Sequence, residues 1–261
     1  MFLALKEIKH EKLRYGLIIA MIVLISYLIF ILTSLALGLA QENTAAIDGW
    51  KIRSAVLNKD SDVSLRQSLL TTDQVNKLTK DKNNAVIAET SIVAKTKGKA
   101  KQASTFIGLD NSQFISKDLK LTSGHKPEND RQVVVDDSFK QYGYKLNDKL
   151  TINSDSTAYT IVGFTHNAKL NISPIVYGTI PTWQKLRGMG NAFGGSAVVS
   201  KQANIDNSDK NLKVYTVTQV INKLPGYTAQ NSTFIFMIGF LMIISLIIIA
   251  VFLYIITIQK L

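Results

Sequence analysis

Two long apolar runs, one near each end, constrain this chain more than any other feature. Residues 17–39 run for 23 positions without a charge, and residues 234–258 for 25, rich in Ile, Leu, Phe and Met. A helix of the shorter length covers roughly 35 Å, enough for a bilayer core of about 30 Å with some tilt. Both runs exceed the roughly 18 apolar residues that argue for a span rather than a buried helix. A signal peptide competes for the first run. Its basic front (Lys6, Lys9, Lys12, Arg14) suits either reading, and Gly38-Leu39-Ala40 has the small-x-small form of a cleavage site. The run is about twice the usual signal core of roughly 7–15 residues, which favours an uncleaved anchor.

Basic residues near the span ends set the orientation. Four precede the first span and Lys260 follows the second, whereas Gln41, Glu42 and Asn43 open the intervening segment and no Lys occurs there until Lys51. The expected layout places both termini in the cytoplasm. Residues 1–40 form a cytoplasmic amphipathic helix and first transmembrane helix, 41–232 an extracellular domain, and 233–261 the second transmembrane helix. The fold class is α+β, a membrane protein with two transmembrane helices flanking a mixed α+β extracellular domain. The outer segment holds 25 basic and 17 acidic residues. Lys95, Lys97, Lys99 and Lys101 alternate, so on a strand they share one face, read as a solubilising hairpin with contact to anionic lipid or cell wall as the alternative. Nucleic acid is the wrong partner for an outside domain.

Within the outer domain, helix continues past the membrane to about Trp50. Strands are expected at 54–57, 85–97, 103–108, 133–135, 149–153, 159–164, 197–200 and 214–217, with a turn at Lys97-Gly98-Lys99. Thr72 caps a short helix over 73–78, and a second helix over 137–142 closes at Gly143. Gly188, Gly190, Gly194 and Gly195 mark a flexible loop.

The search for chemistry is mostly negative. No cysteine is present, which removes disulfides, thiolate metal sites and cysteine nucleophiles. There is no P-loop, H-E-x-x-H or G-x-S-x-G pattern. His125, in a Gly-His-Lys-Pro turn, and His166, after a strand, read as surface residues, with metal ligation as the sharper alternative. In the carboxylate pair Asp136-Asp137, Asp137 reads as a helix cap. Phe2, Leu3, Leu5, Ile8 and Leu13 interleave with charged residues as an amphipathic helix, serving either a lipid surface or a cytoplasmic partner.

The order of parts, and the run from Gly124-His125-Lys126-Pro127 through Gln132-Val133-Val134-Val135-Asp136-Asp137 and Tyr142-Gly143-Tyr144-Lys145-Leu146-Asn147-Asp148 to Tyr159-Thr160-Ile161-Val162-Gly163-Phe164, resemble MacB/FtsX-type ABC transporter permeases. Asn147 stands where that pattern has Gly before Asp148; Asn also tolerates a left-handed backbone. The opening Phe2-Leu3-Ala4-Leu5-Lys6-Glu7-Ile8-Lys9 and the run Lys12-Leu13-Arg14-Tyr15-Gly16 are most like the haem-export permeases (HrtB type) of Gram-positive bacteria.

That resemblance implies a permease subunit without its own nucleotide-binding motif, and no enzyme. A separate cytoplasmic ABC ATPase binds ATP, a second permease copy completes a homodimer, and membrane lipid surrounds the spans. The implied mechanism is mechanotransmission, with haem or another membrane-dissolved amphiphile as substrate and no cofactor in the chain itself. Such permeases have four spans, so the sequence is expected to correspond to the first two-thirds of one. Haem at the outer leaflet needs an axial or propionate partner. Glu42 and Tyr227 lie at that depth and are the candidate substrate-binding residues. Their alternatives are a solvated helix end and an interfacial aromatic anchor. Lys51 and Arg53 are candidate propionate partners. The competing function is a two-span receptor or sensor with an extracellular ligand-binding domain.

Overall fold

The computed structural model describes residues 12–258. They divide into two compact units. One unit holds residues 12–40 and 228–258, and the other spans Gln41–Tyr227. Two elements reach into the first unit: α1 (Lys12–Trp50) and α6 (Tyr227–Ile258). Both are long and apolar enough to cross a membrane. Leu17, Phe30 and Leu37 of α1 and Phe236, Phe240 and Leu246 of α6 are exposed. Large apolar side chains exposed in this number suit a lipid solvent rather than water. The amphipathic helix expected over the first 13 residues falls almost wholly outside the described residues.

The second unit is a mixed α+β domain. Its strands are β1 (Ser54–Asn58), β2 (Leu70–Thr71), β3 (Asn84–Lys95), β4 (Gln102–Leu109), β5 (Leu121–Gly124), β6 (Gln132–Asp136), β7 (Lys149–Ile152), β8 (Tyr159–Thr165), β9 (Lys169–Leu170), β10 (Ser173–Thr179), β11 (Phe193–Gly195), β12 (Ala197–Ser200) and β13 (Leu212–Thr216). Its short helices are α2 (Thr72–Leu78), α3 (Phe114–Asp118), α4 (Ile180–Leu186) and α5 (Val217–Asn222). The main sheet runs β13-β1-β12-β3-β4-β10-β6-β8-β5. Strand β7 pairs with both β3 and β8, so β3, β4, β10, β6, β8 and β7 close on themselves in a ring.

Ring closure sorts the side chains by alternation. Ala88, Ile92, Phe106, Val133, Val135, Leu150, Ile152, Ile161 and Val176 form one core, sealed by Trp183 of α4 and by Phe139 and Tyr144. Ile87, Ile107, Val134, Ile175 and Tyr177 belong to a second core on the opposite face, with Ile47 and Trp50 from the end of α1. A third cluster joins Val56, Val86 and Val198 to Val75 and Leu78 of α2.

Several local expectations shift on contact with this structure. The cap of α2 is Thr71, whose hydroxyl accepts from the Gln74 N–H while Gln74 returns a bond to the Thr71 N–H. Residues 137–142 form a 3-10 helix capped by Asp136 rather than Asp137; Gly143 closes it at φ 79°. The alternating lysines do not share a strand face, because β3 ends at Lys95 and β4 begins at Gln102. Lys99 instead turns back to pair with Asp148. Gly194 and Gly195 sit in β11, paired with β2, rather than in a flexible loop. Strand β10 has no counterpart among the expected strands. It begins Ser-Pro and contains Gly178, both breaker signals, yet it lies parallel to β4 and antiparallel to β6.

Candidate functional site

Glu42 lies near the start of the part of α1 that packs on the domain. Its carboxylate is paired with the ammonium of Lys169 in β9. The two border a cavity of about 330 Å³ shared with Asp136, Asp137, Gln141 and His166. The adjacent carboxylates have separate duties. Asp136 is buried and accepts backbone N–H bonds from Ser138 and Ala168, each 2.9 Å. Asp137 bonds the Thr122 hydroxyl at 2.7 Å and the Lys140 ammonium at 2.5 Å. Partial burial pushes the Asp137 carboxyl up, but the bonds from Lys140 and Thr122 outweigh it and leave the pKa below its ordinary value. His166 Nδ1 stands 3.7 Å from Asp137, and its side chain is 71% exposed.

Tyr227 is the first residue of α6, and its N–H donates to the Leu224 carbonyl at 3.1 Å. Its side chain is half-buried and does not line the cavity that Glu42 borders. Lys51 lines a different cavity beside Trp50 and Tyr177. His125 is exposed, its Nδ1 2.9 Å from the Lys126 carbonyl. Among the described residues no group of three or more potential metal ligands converges.

One charged residue passed unnoticed in the sequence. Glu89, in the middle of β3, has a side chain only 8% exposed. Its backbone is fixed on both sides, with the Ser196 hydroxyl accepting its N–H and Trp183 donating its indole N–H to its carbonyl at 2.9 Å. Burial raises the carboxyl pKa; the positive charges of Arg66 and Arg187 offset part of that rise. The residue sits inside an apolar strand, Asn-Ala-Val-Ile-Ala-Glu, and that contrast was the available signal.

The described residues place apolar helices at both ends of an α+β domain, and along its whole length the chain is similar to transport-system permeases. The particular relatives carry one name, "Putative hemin transport system permease protein HrtB". The chain is 28% identical over 263 residues to the one from Staphylococcus epidermidis strain RP62A, covering 100% of this chain and 73% of that protein. It is 25% identical over 267 residues to the one from Staphylococcus haemolyticus strain JCSC1435, with the same coverage. No protein-family model matches the chain. Similar solved structures include the periplasmic region of MacB from Actinobacillus actinomycetemcomitans, at 15% identity and TM-score 0.48, covering 66% of this chain and 95% of that one. The extracellular domain of the noncanonic ABC-type transporter YknZ from Gram-positive bacteria is similar at 14% identity and TM-score 0.43, covering 61% and 85%.

Proposed function

We propose that this chain is the permease subunit of an ABC-type efflux transporter that exports haem, or a related membrane-dissolved amphiphile, by mechanotransmission. The single observation that carries the reading is similarity over the entire chain to permeases named for hemin transport. Both termini are cytoplasmic, as the distribution of Lys and Arg favours. A separate ATPase closes on ATP, the spans pass that closure outward, and the outer domains of two permease copies move against each other. Substrate enters laterally from the membrane.

Glu42 and Tyr227 are the proposed contacts for haem. Glu42 offers a carboxylate once Lys169 is displaced, and the freed ammonium suits a propionate. Tyr227 offers a phenol, a known class of iron ligand. The test is a hemin titration of the full chain in lipid nanodiscs, followed in the Soret band against empty discs. Saturable binding is expected, weakened at least several-fold by Glu42→Gln and by Tyr227→Phe. Unchanged affinity in both variants removes these residues from the site. No saturable binding in the wild type removes haem as the substrate.

A further inference from the structure

Beyond the proposed transport role, the geometry points to a second ligand site in the outer domain: a cavity on Glu89 that takes a small amphiphile bearing an ammonium group. The cavity measures about 470 Å³. Its floor is one face of the β3–β4 hairpin, where the register pairs Glu89 with Ile107, Ser91 with Thr105 and Val93 with Ala103. Glu89, Ser91 and Val93 of β3 all line it, and Glu89 is the least exposed of the three. Segment 63–67 and the end of α5 form the opposite walls, contributing Leu65, Val220 and Leu224.

Two properties make this a site rather than a packing defect. The first is that Glu89 presents acceptor oxygens to the cavity that no described residue hydrogen-bonds. Among the described residues its carboxylate accepts no hydrogen bond; its one ion-pair neighbour is Arg66, whose Nε stands 3.8 Å away. That distance supplies attraction without a bond. Arg66 is 52% exposed, so solvent screens it. The carboxylate oxygens are not among the buried polar atoms left without a partner, so they face the cavity's solvent, and a donor entering the cavity replaces water there. An ammonium supplies both donors and the opposite charge, while Leu65, Val220 and Leu224 accept an alkyl body.

The second property is the backbone around the cavity. Val63, Asn153 and Asn171 all line it with positive φ, at 62°, 54° and 51°. Their neighbours Asp62 and Ile172 are also left-handed, at 47° and 66°. Asn171 and Ile172 are the central pair of the two-residue β9–β10 hairpin, a turn that takes a left-handed backbone at both positions; for β-branched Val63 it is a strained conformation. Three of the eight non-glycine residues with positive φ among the described residues line this cavity.

The test uses the full chain in lipid nanodiscs, titrated with n-hexylammonium and with its neutral isostere n-hexanol, and read by calorimetry and saturation-transfer NMR. The wild type is expected to prefer the ammonium at least ten-fold. Glu89→Gln keeps the shape, removes the charge, and is expected to abolish the preference. Ser91→Trp adds a ring at an exposed position on the same strand face and is expected to block both probes without entering the core. Three results each overturn the proposal: no saturable ammonium binding to the wild type, an undiminished preference in Glu89→Gln, or undiminished binding in Ser91→Trp.

Discussion

Trp50, the last residue of α1, donates its indole N–H to the phenol oxygen of Tyr177 in β10 at 3.1 Å. Both side chains are buried. Burial raises the Tyr177 phenol pKa well above its ordinary value, only partly countered by the Trp50 bond, so the phenol is neutral throughout the physiological range. The bond ties the end of α1 to a strand at the centre of the ring.

Removing the phenol oxygen strands a buried indole donor. Tyr177→Phe is expected to destabilise the outer domain by about 1–3 kcal/mol. Chemical denaturation of the full chain, followed by tryptophan fluorescence, measures this. A change within error of zero would mean that water replaces the bond.

Gly124 and Gly143 separate two kinds of glycine requirement. Both have positive φ, 82° and 79°. A Cβ on Gly143 meets nothing within 4 Å, so Gly143→Ala carries only the backbone term, about 1 kcal/mol. A Cβ on Gly124 falls 2.0 Å from the Val162 carbonyl oxygen, where backbone must move. Gly124→Ala is expected to cost about 3 kcal/mol or more. Comparing the two unfolding midpoints checks the ranking, and equal midpoints would refute it.

Asp136 answers two backbone N–H groups at the junction of β6, the 3-10 helix and the loop before β9. Asp136→Ala leaves both unmet and is expected to cost about 2–4 kcal/mol. Asp136→Asn keeps an acceptor oxygen and is expected to lose less than half as much. Thermal unfolding of the pair decides the point.

Stability is expected to respond to pH in opposite ways at two places. The folded pKa of Glu89 is raised from its ordinary 4.5, so its contribution is full below that value and is lost as pH rises through the raised one. Partial burial pushes Asp148 up, but Lys99 and the Lys145 N–H outweigh it and lower its pKa from 3.8. Asp137 is lowered likewise. The contribution of these two is full above 3.8 and is lost as pH falls through their lowered values. Glu89→Gln should therefore stabilise the chain more at pH 7 than at pH 4. Melting curves across that window test it, and an equal shift at both ends would contradict the assignment.

Much of the outer domain was legible because its signals are local. Residues 85–97, rich in Val, Ile and Thr, and 103–108 flank a Gly turn, and β3 and β4 form there as an antiparallel pair. Gly143 and Asn147 adopt the left-handed backbone their residue types tolerate. The candidate sites were less legible. Glu42 was singled out by its distance from an apolar run, but its partner Lys169 is 127 residues away. Glu89 resembles any strand carboxylate until the register sets it opposite Ile107 and segment 63–67 covers it. Strand β10 was hidden because Pro174 and Gly178 argue locally against a strand, while pairing on both sides outweighs that preference.

The sequence alone determined the membrane character, since transfer of an apolar run into lipid is nearly additive along the chain and needs no knowledge of neighbours. It also determined the turns and caps, which rest on the backbone freedom or side-chain oxygen of one or two residues. Only the tertiary structure decided that β7, paired locally with β8, also pairs with β3 and closes the ring, because the β3–β7 pairing brings together segments more than fifty residues apart. Closure in turn decided which face of each strand is interior, and so left Glu89 buried beside a cavity. Burial of a charge is a property of everything packed around it; the apolar run before residue 89 hints at it, and only the packing decides it.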